Sequence, residues 1–517
     1  MSSYNDVPYP SMPVRGSHPD RLHAVASLCG LSPAPVDACR VLELGSSDGG
    51  NLVPLAEALP NSTFLGLDNS SRQIDDGREI VRELGLTNIR LECRDLIEPT
   101  PDLGEFDYII CHGVYSWVPP PVQERILQIC GAHLAPHGVA FVSYNTQPGW
   151  HLRGMVREMM LYHVAEFADP QDRISQSQAF LDFMVRFAPN PDKAYARLLR
   201  DEMERLRDRP RTYLFHEHLE DCNQPIYFHE FMSRASAAGL QYLSDDTLPS
   251  AWNTQIHADA VQLLAGLGDD VIRREQYLDF LQGCAFRRTL LCPAAANISR
   301  VPDAEVLRRG YLSAALKPST PIEDLASNDV VEFRTPDGPT ADMSGPIVKA
   351  AAVILGEQWP RSLHFHELLQ QAAEKLRGTA EAQPQDESLL FGDMLKCVAA
   401  GLVDFRLSPD RFVSRVSDRP RTTRGALRSS ARGEAATSLV HSPVGLNPVH
   451  RQVLRRLDGR HDVQALLAAL EQDVRNGDLK IEANDGAAND EQSQRSALGT
   501  MLHDALRQFV RLALLVE

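Results

Sequence analysis

Hydrophobic and polar positions follow two different rhythms along this chain. From Arg40 to Tyr144, short apolar runs (RVLELG, TFLGLD, IRLECRD, FDYIICHG, VAFVSYN) take turns with longer stretches of helical spacing (NLVPLAEAL, QIDDGREIVREL, VQERILQICGAHL). That order predicts β-α-β-α-β and a parallel sheet. Ahead of it, a Pro-, Ser- and Tyr-rich arm leads into a helix start at His18-Pro19-Asp20-Arg21-Leu22. Residues 151–212 read as helices only, with Phe180, Phe183, Met184 and Phe187 at the i, i+3, i+4, i+7 spacing of one buried face. The α/β pattern then resumes over 213–295. There FHEFMSRASAAGLQYLSDD reads as helix, Gly239 turn and strand, and FRRTLLC as a further strand that closes the sheet late.

Beyond residue 296 the rhythm changes again. A hairpin, VVEFRTPDGPTAD, turns at Pro336-Asp337-Gly338 and is followed by helices. A weak internal repeat pairs PIVKAAAVILGEQWPRSLHFHELLQQA and GDMLKCVAAGLVDFRL with NPVHRQVLRRLDGRHDVQALLAAL and LHDALRQFVRLALLVE. Both halves have a winged-helix-like order, one in 296–414 and one in 441–517. The basic, Ser-rich stretch 415–440 reads as the linker between them, and Asn484 to Ser496 as a polar, acidic loop. The expected fold is therefore α/β: an arm and Rossmann-like core in 1–150, a helical insertion in 151–212, a sheet-completing segment, then mainly helical C-terminal domains.

Composition narrows this picture. Hydrophobic residues at 43%, charged residues at 23% and 517 positions describe several ordinary globular domains. No apolar run approaches the roughly 18 residues of a membrane span, and the first twenty residues lack the basic start and apolar core of a secretory signal. Nine cysteines are scattered without CxxC pairs, as small buried filler in a reducing compartment, so a cytoplasmic protein is expected. The net charge of −17 speaks against nucleic acid as a partner. So does the apolar third helix of the first repeat, Cys397 to Ala400, which lacks a base-reading face.

The chemistry gathers at strand ends. Val41 to Asn51, VLELGSSDGGN, is a Gly-rich turn from strand to helix, where free N–H groups face a ligand. Such a turn alone also fits a dinucleotide enzyme; Glu43 separates the two, because its carboxylate receives an ammonium and repels a pyrophosphate. Asp68 ends the next strand, where a ribose diol would be gripped. Asp95 follows the third, within reach of an adenine amino group. Three acids closing successive strands describe an adenosyl site. No HExxH accompanies His216, Glu217, His218, His229 and Glu230, which read as caps and helix surface, so no metal is expected.

At this point the sequence resembles the class I S-adenosylmethionine-dependent methyltransferases. Glu43 to Gly49 look like their first motif, and Leu134-Ala135-Pro136-His137-Gly138-Val139 is similar to the turn before their fifth strand. Ser47 departs from the pattern, standing where a second glycine is common. The resemblance implies S-adenosylmethionine as cofactor, with contacts from Glu43, Gly45, Ser46, Ser47, Gly49, Asn51, Asp68, Asn69, Asp95, Leu96 and His112. A narrower resemblance covers nearly the whole chain. VPYPSMPVRGSHPDRL, FDYIICHGVYSWVPP, SYNTQPGWH and YLFHEHLEDCNQPIYFHEF look like methyltransferases with a methyltransferase regulatory domain, here about Tyr213 to Cys292. That family includes bacterial protein-lysine methyltransferases acting on outer-membrane surface proteins.

The acceptor site is expected after the fourth and fifth strands, with Tyr115, Trp117, Tyr144 and Asn145 as catalytic residues and Trp150, His18 and Tyr9 around the substrate. A lysine amine with a pKa near 10.4 costs about 4–5 kcal/mol to deprotonate at pH 7, and an aromatic channel lowers that cost by disfavouring the ammonium. His112 is either a general base or, as preferred here, a cofactor contact. A lysine-containing protein substrate is the leading reading, favoured by the long non-core half. A small-molecule N- or O-methyltransferase and a non-catalytic S-adenosylmethionine-binding regulator stand as alternatives, and the Phe stripe of the insertion predicts self-association into a homodimer.

Overall fold

The computed structural model describes residues 11–516 apart from 100–102, 208, 247–257, 269, 337, 379–382 and 481–490. Tyr9, Asp337 of the turn and positions 484–490 of the acidic loop lie outside the described residues.

Seven strands form the central sheet: β1 (Arg40–Leu44), β2 (Thr63–Asp68), β3 (Ile89–Cys93), β4 (Phe106–Cys111), β5 (Leu134–Asn145), β6 (Leu240–Asp245) and β7 (Phe286–Pro293). Their order is β3-β2-β1-β4-β5-β7-β6. The first five run parallel, while β7 pairs antiparallel with both β5 and β6. Neighbouring strand residues go to opposite cores. Val41, Ile110 and Phe141 enter one, Leu42, Ile109 and Val142 the other. Both faces are covered, which is why the strands read as unbroken apolar runs. The chain reverses direction across the sheet at β1, whose neighbours are β2 and β4, so a crevice opens at their carboxyl ends.

The insertion comprises helices Gly149–His163, Pro170–Arg186 and Ala194–Arg207 around a core of their own. The Phe stripe is not its buried face. Ile174, Ser177 and Leu181 are buried on the middle helix, whereas Phe183 and Phe187 are 55% and 61% exposed. Both sets have helical spacing, and packing against the flanking helices selects the first; Phe180 is half-buried under His163, their rings stacked at 4.6 Å.

In 296–414, helices Pro346–Gln358, Phe365–Arg377 and Pro384–Ala399 stand beside a small sheet of Leu363–His364, Tyr311–Ser313 and Asp404–Arg406. Their core is continuous with one face of the central sheet. Helices Pro448–Leu454, Val463–Asn476 and Glu491–Arg511 build the C-terminal domain around a separate core. Two expectations change here. Residues 491–496 are helix rather than loop. The expected linker 415–440 contains the helix Arg424–Arg432, docked on the N-terminal half. Glu57 accepts from Arg424 N at 2.6 Å and Gly425 N at 3.0 Å, and Glu83 from Arg428 and Arg432, both at 2.6 Å. Its basic composition is thus spent on acids of the core. Among the described residues no helix is long and apolar enough to cross a membrane.

Candidate active site

The loop after β1 folds as the Gly-rich pattern requires. Gly45 and Gly49 hold φ of 77° and 81°, in the left-handed region open to glycine. A Cβ at Gly45 would collide with Val114, so the loop passes close to the segment after β4. Ser47, the departure from the family pattern, adopts φ 52° all the same. Its N–H donates to Asp68 Oδ2 at 2.9 Å, and its hydroxyl accepts from Gln73 Nε2 at 2.7 Å. These bonds offset the roughly 1 kcal/mol that a side chain costs in that conformation.

Glu43 is buried beneath this loop. Oε1 accepts from Asn51 Nδ2 at 2.8 Å, and Oε2 has no partner among the described residues. Burial raises its pKa to about 8, with Asp68 and Asp48 adding to the effect and the Asn51 hydrogen bond opposing it. A buried acceptor without a donor fits the cationic amino end of S-adenosylmethionine. Asp68, half-buried at the end of β2, accepts from Ser47 N and from Ser70 N at 2.9 Å, one bond to each oxygen. Each oxygen keeps a second lone pair for a ribose hydroxyl. Asp95 and Asn69 are exposed at the same edge, with Asp95 Oδ1 accepting from Ile97 N, and Leu96 is buried beside them. Ser46 is buried, and its hydroxyl has no partner among the described residues. Asn51 is also buried, but its amide is engaged by protein groups, so it supports Glu43 from behind.

His112 ends the run after β4. Its Nδ1 lies 3.0 Å from Ser143 Oγ, which accepts from Gly113 N at 2.8 Å. Burial first, and then Arg288, lower its pKa to about 4, so the ring is neutral at physiological pH. Phe286 of β7 stands edge-on to it and is half-exposed.

The aromatic residues divide. Tyr115 and Tyr144 are 0% and 1% exposed and pack on Phe231, Tyr144 stacked at 4.1 Å and Tyr115 edge-on at 5.2 Å. They belong to the core under the sheet and not to a channel, because Tyr144 shares the strand face of Val142 and points at the helix Phe228–Ala237. Trp117 is partly exposed, edge-on to the buried Trp150 at 6.2 Å, and Arg153 covers the Trp150 ring at 4.6 Å. Asn145 is held at the end of β5: its N–H donates to Ser116 Oγ at 2.8 Å and its Nδ2 to Asn223 Oδ1 at 3.1 Å. His18 does not close over an acceptor. Its Nδ1 caps its own helix by accepting from Asp20 N, its ring meets His441, and burial lowers its pKa to about 3.

Sequence reasoning overlooked Ser143, Asn223, Phe286 and His441, and placed Ser116 only within the segment after the fourth strand that was expected to build the acceptor site. The stretch CNQPIY carried the one available signal. It laces against β5, with Gln224 N donating to Ser116 O at 2.7 Å and Ile226 N to Asn145 O at 3.1 Å. The histidines considered for metal have protein neighbours instead: His216 Nδ1 lies 2.7 Å from Glu220, His218 Nε2 lies 3.1 Å from Glu202, and His229 Nδ1 lies 2.9 Å from Gln276.

Comparison with known proteins matches residues 42–140 to a family described as methyltransferase domain, 210–293 to predicted methyltransferase regulatory domain, and 418–514 to PKMT, C-terminal winged helix domain. Uncharacterized protein RP789 of Rickettsia prowazekii is 33% identical over 520 residues, spanning 99% of this chain and 93% of that protein. Uncharacterized protein RP028 of the same organism is 38% identical over 241 residues, 47% of this chain and 96% of its own length. The structure of PKMT2 from Rickettsia typhi in complex with AdoHcy superimposes with a TM-score of 0.88 at 27% identity, over 99% of this chain and 100% of that one.

Proposed function

Since the chain belongs to the class I S-adenosylmethionine-dependent methyltransferases that join a regulatory domain and a PKMT winged helix to the catalytic core, we propose that its acceptor is the side-chain amine of a protein lysine. The observation that carries the acceptor is the whole-length likeness to PKMT2, which extends through the insertion and the C-terminal domain.

When bound, S-adenosylmethionine supplies a methyl group on a good leaving group. The residues of this chain then have to bind, align and exclude water. Glu43 receives the amino end, Asp68 the ribose and Asp95 the adenine edge. Trp117 and Phe286 provide apolar surface, and Asn145, fixed by Ser116 and Asn223, offers an amide to orient a nitrogen. His112 is a poor proton acceptor with its pKa near 4. A hydroxyl acceptor would need a stronger base, whereas an amine delivered neutral needs none, so the neutral ring favours nitrogen over a small-molecule hydroxyl.

The test is a pH–rate profile with label-bearing cofactor and a bacterial lysate. The rate on protein should rise between about pH 7 and 9, as the amine loses its proton. Trp117→Ala should slow transfer roughly ten- to a hundredfold with cofactor affinity nearly intact, because it touches the acceptor side only. Transferred label that survives acid and alkali is N-methyl. Alkali-labile label would mean a carboxyl ester and end the lysine reading, and cofactor binding without transfer would favour the regulator.

A further inference from the structure

Three distant parts of the chain meet at Asn51. It stands at the end of the Gly-rich loop, just before the helix Leu52–Ala58. Its Nδ2 donates to Glu43 Oε1 at 2.8 Å, while its Oδ1 accepts from Val14 N of the N-terminal arm at 2.9 Å. The same oxygen lies 2.8 Å from Nε2 of His441, 390 residues further along. His441 sits in the turn between strands Ala436–Thr437 and Pro443–Val444, is buried, and holds φ 57°. Ser438 fixes that turn: its N–H donates to Ser442 O and its carbonyl accepts from His441 N, each at 2.9 Å.

Hydrogen-bond chemistry assigns the atoms. A backbone N–H only donates, so the Asn51 atom facing Val14 is the carbonyl oxygen, and the His441 nitrogen sharing it carries its hydrogen. The amide NH2 is thereby turned to Glu43 and, at 3.2 Å, to the hydroxyl of Ser17. Turned by 180°, Asn51 would set its oxygen against the carboxylate.

We propose that His441 is a positioning residue of the cofactor site, through which the C-terminal winged-helix domain clamps Asn51 and holds Glu43 ready for the amino end of S-adenosylmethionine. The ionisable groups facing Glu43 are Asp68 from β2, Asp48 from the loop and Cys111 from β4. Those around His441 are His18 and, behind it, Arg15, Arg406 and Arg411. Burial and His18 keep His441 neutral, so Glu43 is the group that titrates around neutral pH. With the clamp gone, Asn51 opposes the proton on Glu43 less well, and the empty site holds that proton to higher pH.

The experiment is calorimetric titration of the full chain with S-adenosylhomocysteine from pH 6.5 to 8.5. His441→Asn suits a left-handed backbone but ends short of the Asn51 oxygen. It should weaken binding roughly five- to tenfold at pH 7, the worth of one hydrogen bond. Because Glu43 is the titrating group, the ratio to wild type should shrink as pH rises, and the cofactor's own ionisation cancels in that ratio. His441→Gln, which returns a donor to the Nε2 position, should recover affinity to within about twofold. In a Glu43→Gln background His441→Asn should cost almost nothing. If His441→Asn does not fold, His441→Gly, free of backbone strain, takes its place. An unchanged affinity, a ratio constant with pH, or an undiminished cost in the Glu43→Gln background would each overturn the proposal.

Discussion

Glu43 illustrates how a single carboxyl group links ligand binding to stability. Its folded pKa, about 8 in the ligand-free site, lies above the 4.5 of a free glutamate, so the folded protein holds this proton more tightly than the unfolded chain. The sign follows: the stability Glu43 confers is complete below about pH 4.5 and is lost as pH rises to about 8. Thermal unfolding of the ligand-free protein at pH 5 to 8 should show Glu43→Gln gaining on wild type by an amount that reaches a few kcal/mol at the upper end. Parallel profiles would show that Glu43 does not hold the proton. The comparison with a variant is necessary because Asp245, raised to about 7 by burial among carboxylates around Arg287, contributes a slope of the same sign. The placement of Glu43, Asp68 and Asp95 at the carboxyl edge of the sheet was legible because parallel strands announce their ends where runs of apolar letters stop. The hydrogen bonds of Asn51 to Val14 and His441 were not, since nothing in its own neighbourhood names those partners.

At the scale of elements, parity is what the sequence withholds. In a sheet covered on both sides, Tyr144 and Asn145 look alike as candidates, yet one points into the core with Phe231 and the other lies at the strand end beside Ser116 and Asn223. The helix Pro170–Arg186 poses the same problem with a period of 3.6, where two apolar stripes compete and Ile174 and Leu181 win the interior. The losing stripe leaves Phe183 and Phe187 in ring contact at 5.1 Å and open to solvent. This pair is where the homodimer expected from the sequence would form. Sedimentation at micromolar concentration should give a dimer for wild type and a monomer for Phe183→Asp with Phe187→Asp, with cofactor affinity retained; a monomeric wild type would reject the homodimer.

For the whole molecule, fold class was readable and contact between distant segments was not. The apolar rhythm announced an α/β core with a late return to the sheet and mainly helical domains after it, and β6 and β7 do join the sheet only after the helices of 149–207. It could not announce that Arg424 to Arg432 lies against Glu57 and Glu83, because complementary charges hundreds of residues apart leave no local period. The late return has a consequence for how the protein is made. β5 ends at Asn145, and the strand that covers its edge begins only at Phe286. At roughly 5–20 residues per second, the intervening stretch takes on the order of ten seconds to leave the ribosome, long enough for the insertion helices to close on their own core. During that interval the growing chain carries a bare strand edge, a template for any neighbour on the same messenger RNA. Nascent chains halted just after Arg207 should therefore associate or retain a chaperone, while those halted past residue 320 should not. Equal solubility of the two would mean that the waiting edge is shielded by something other than its own later strand.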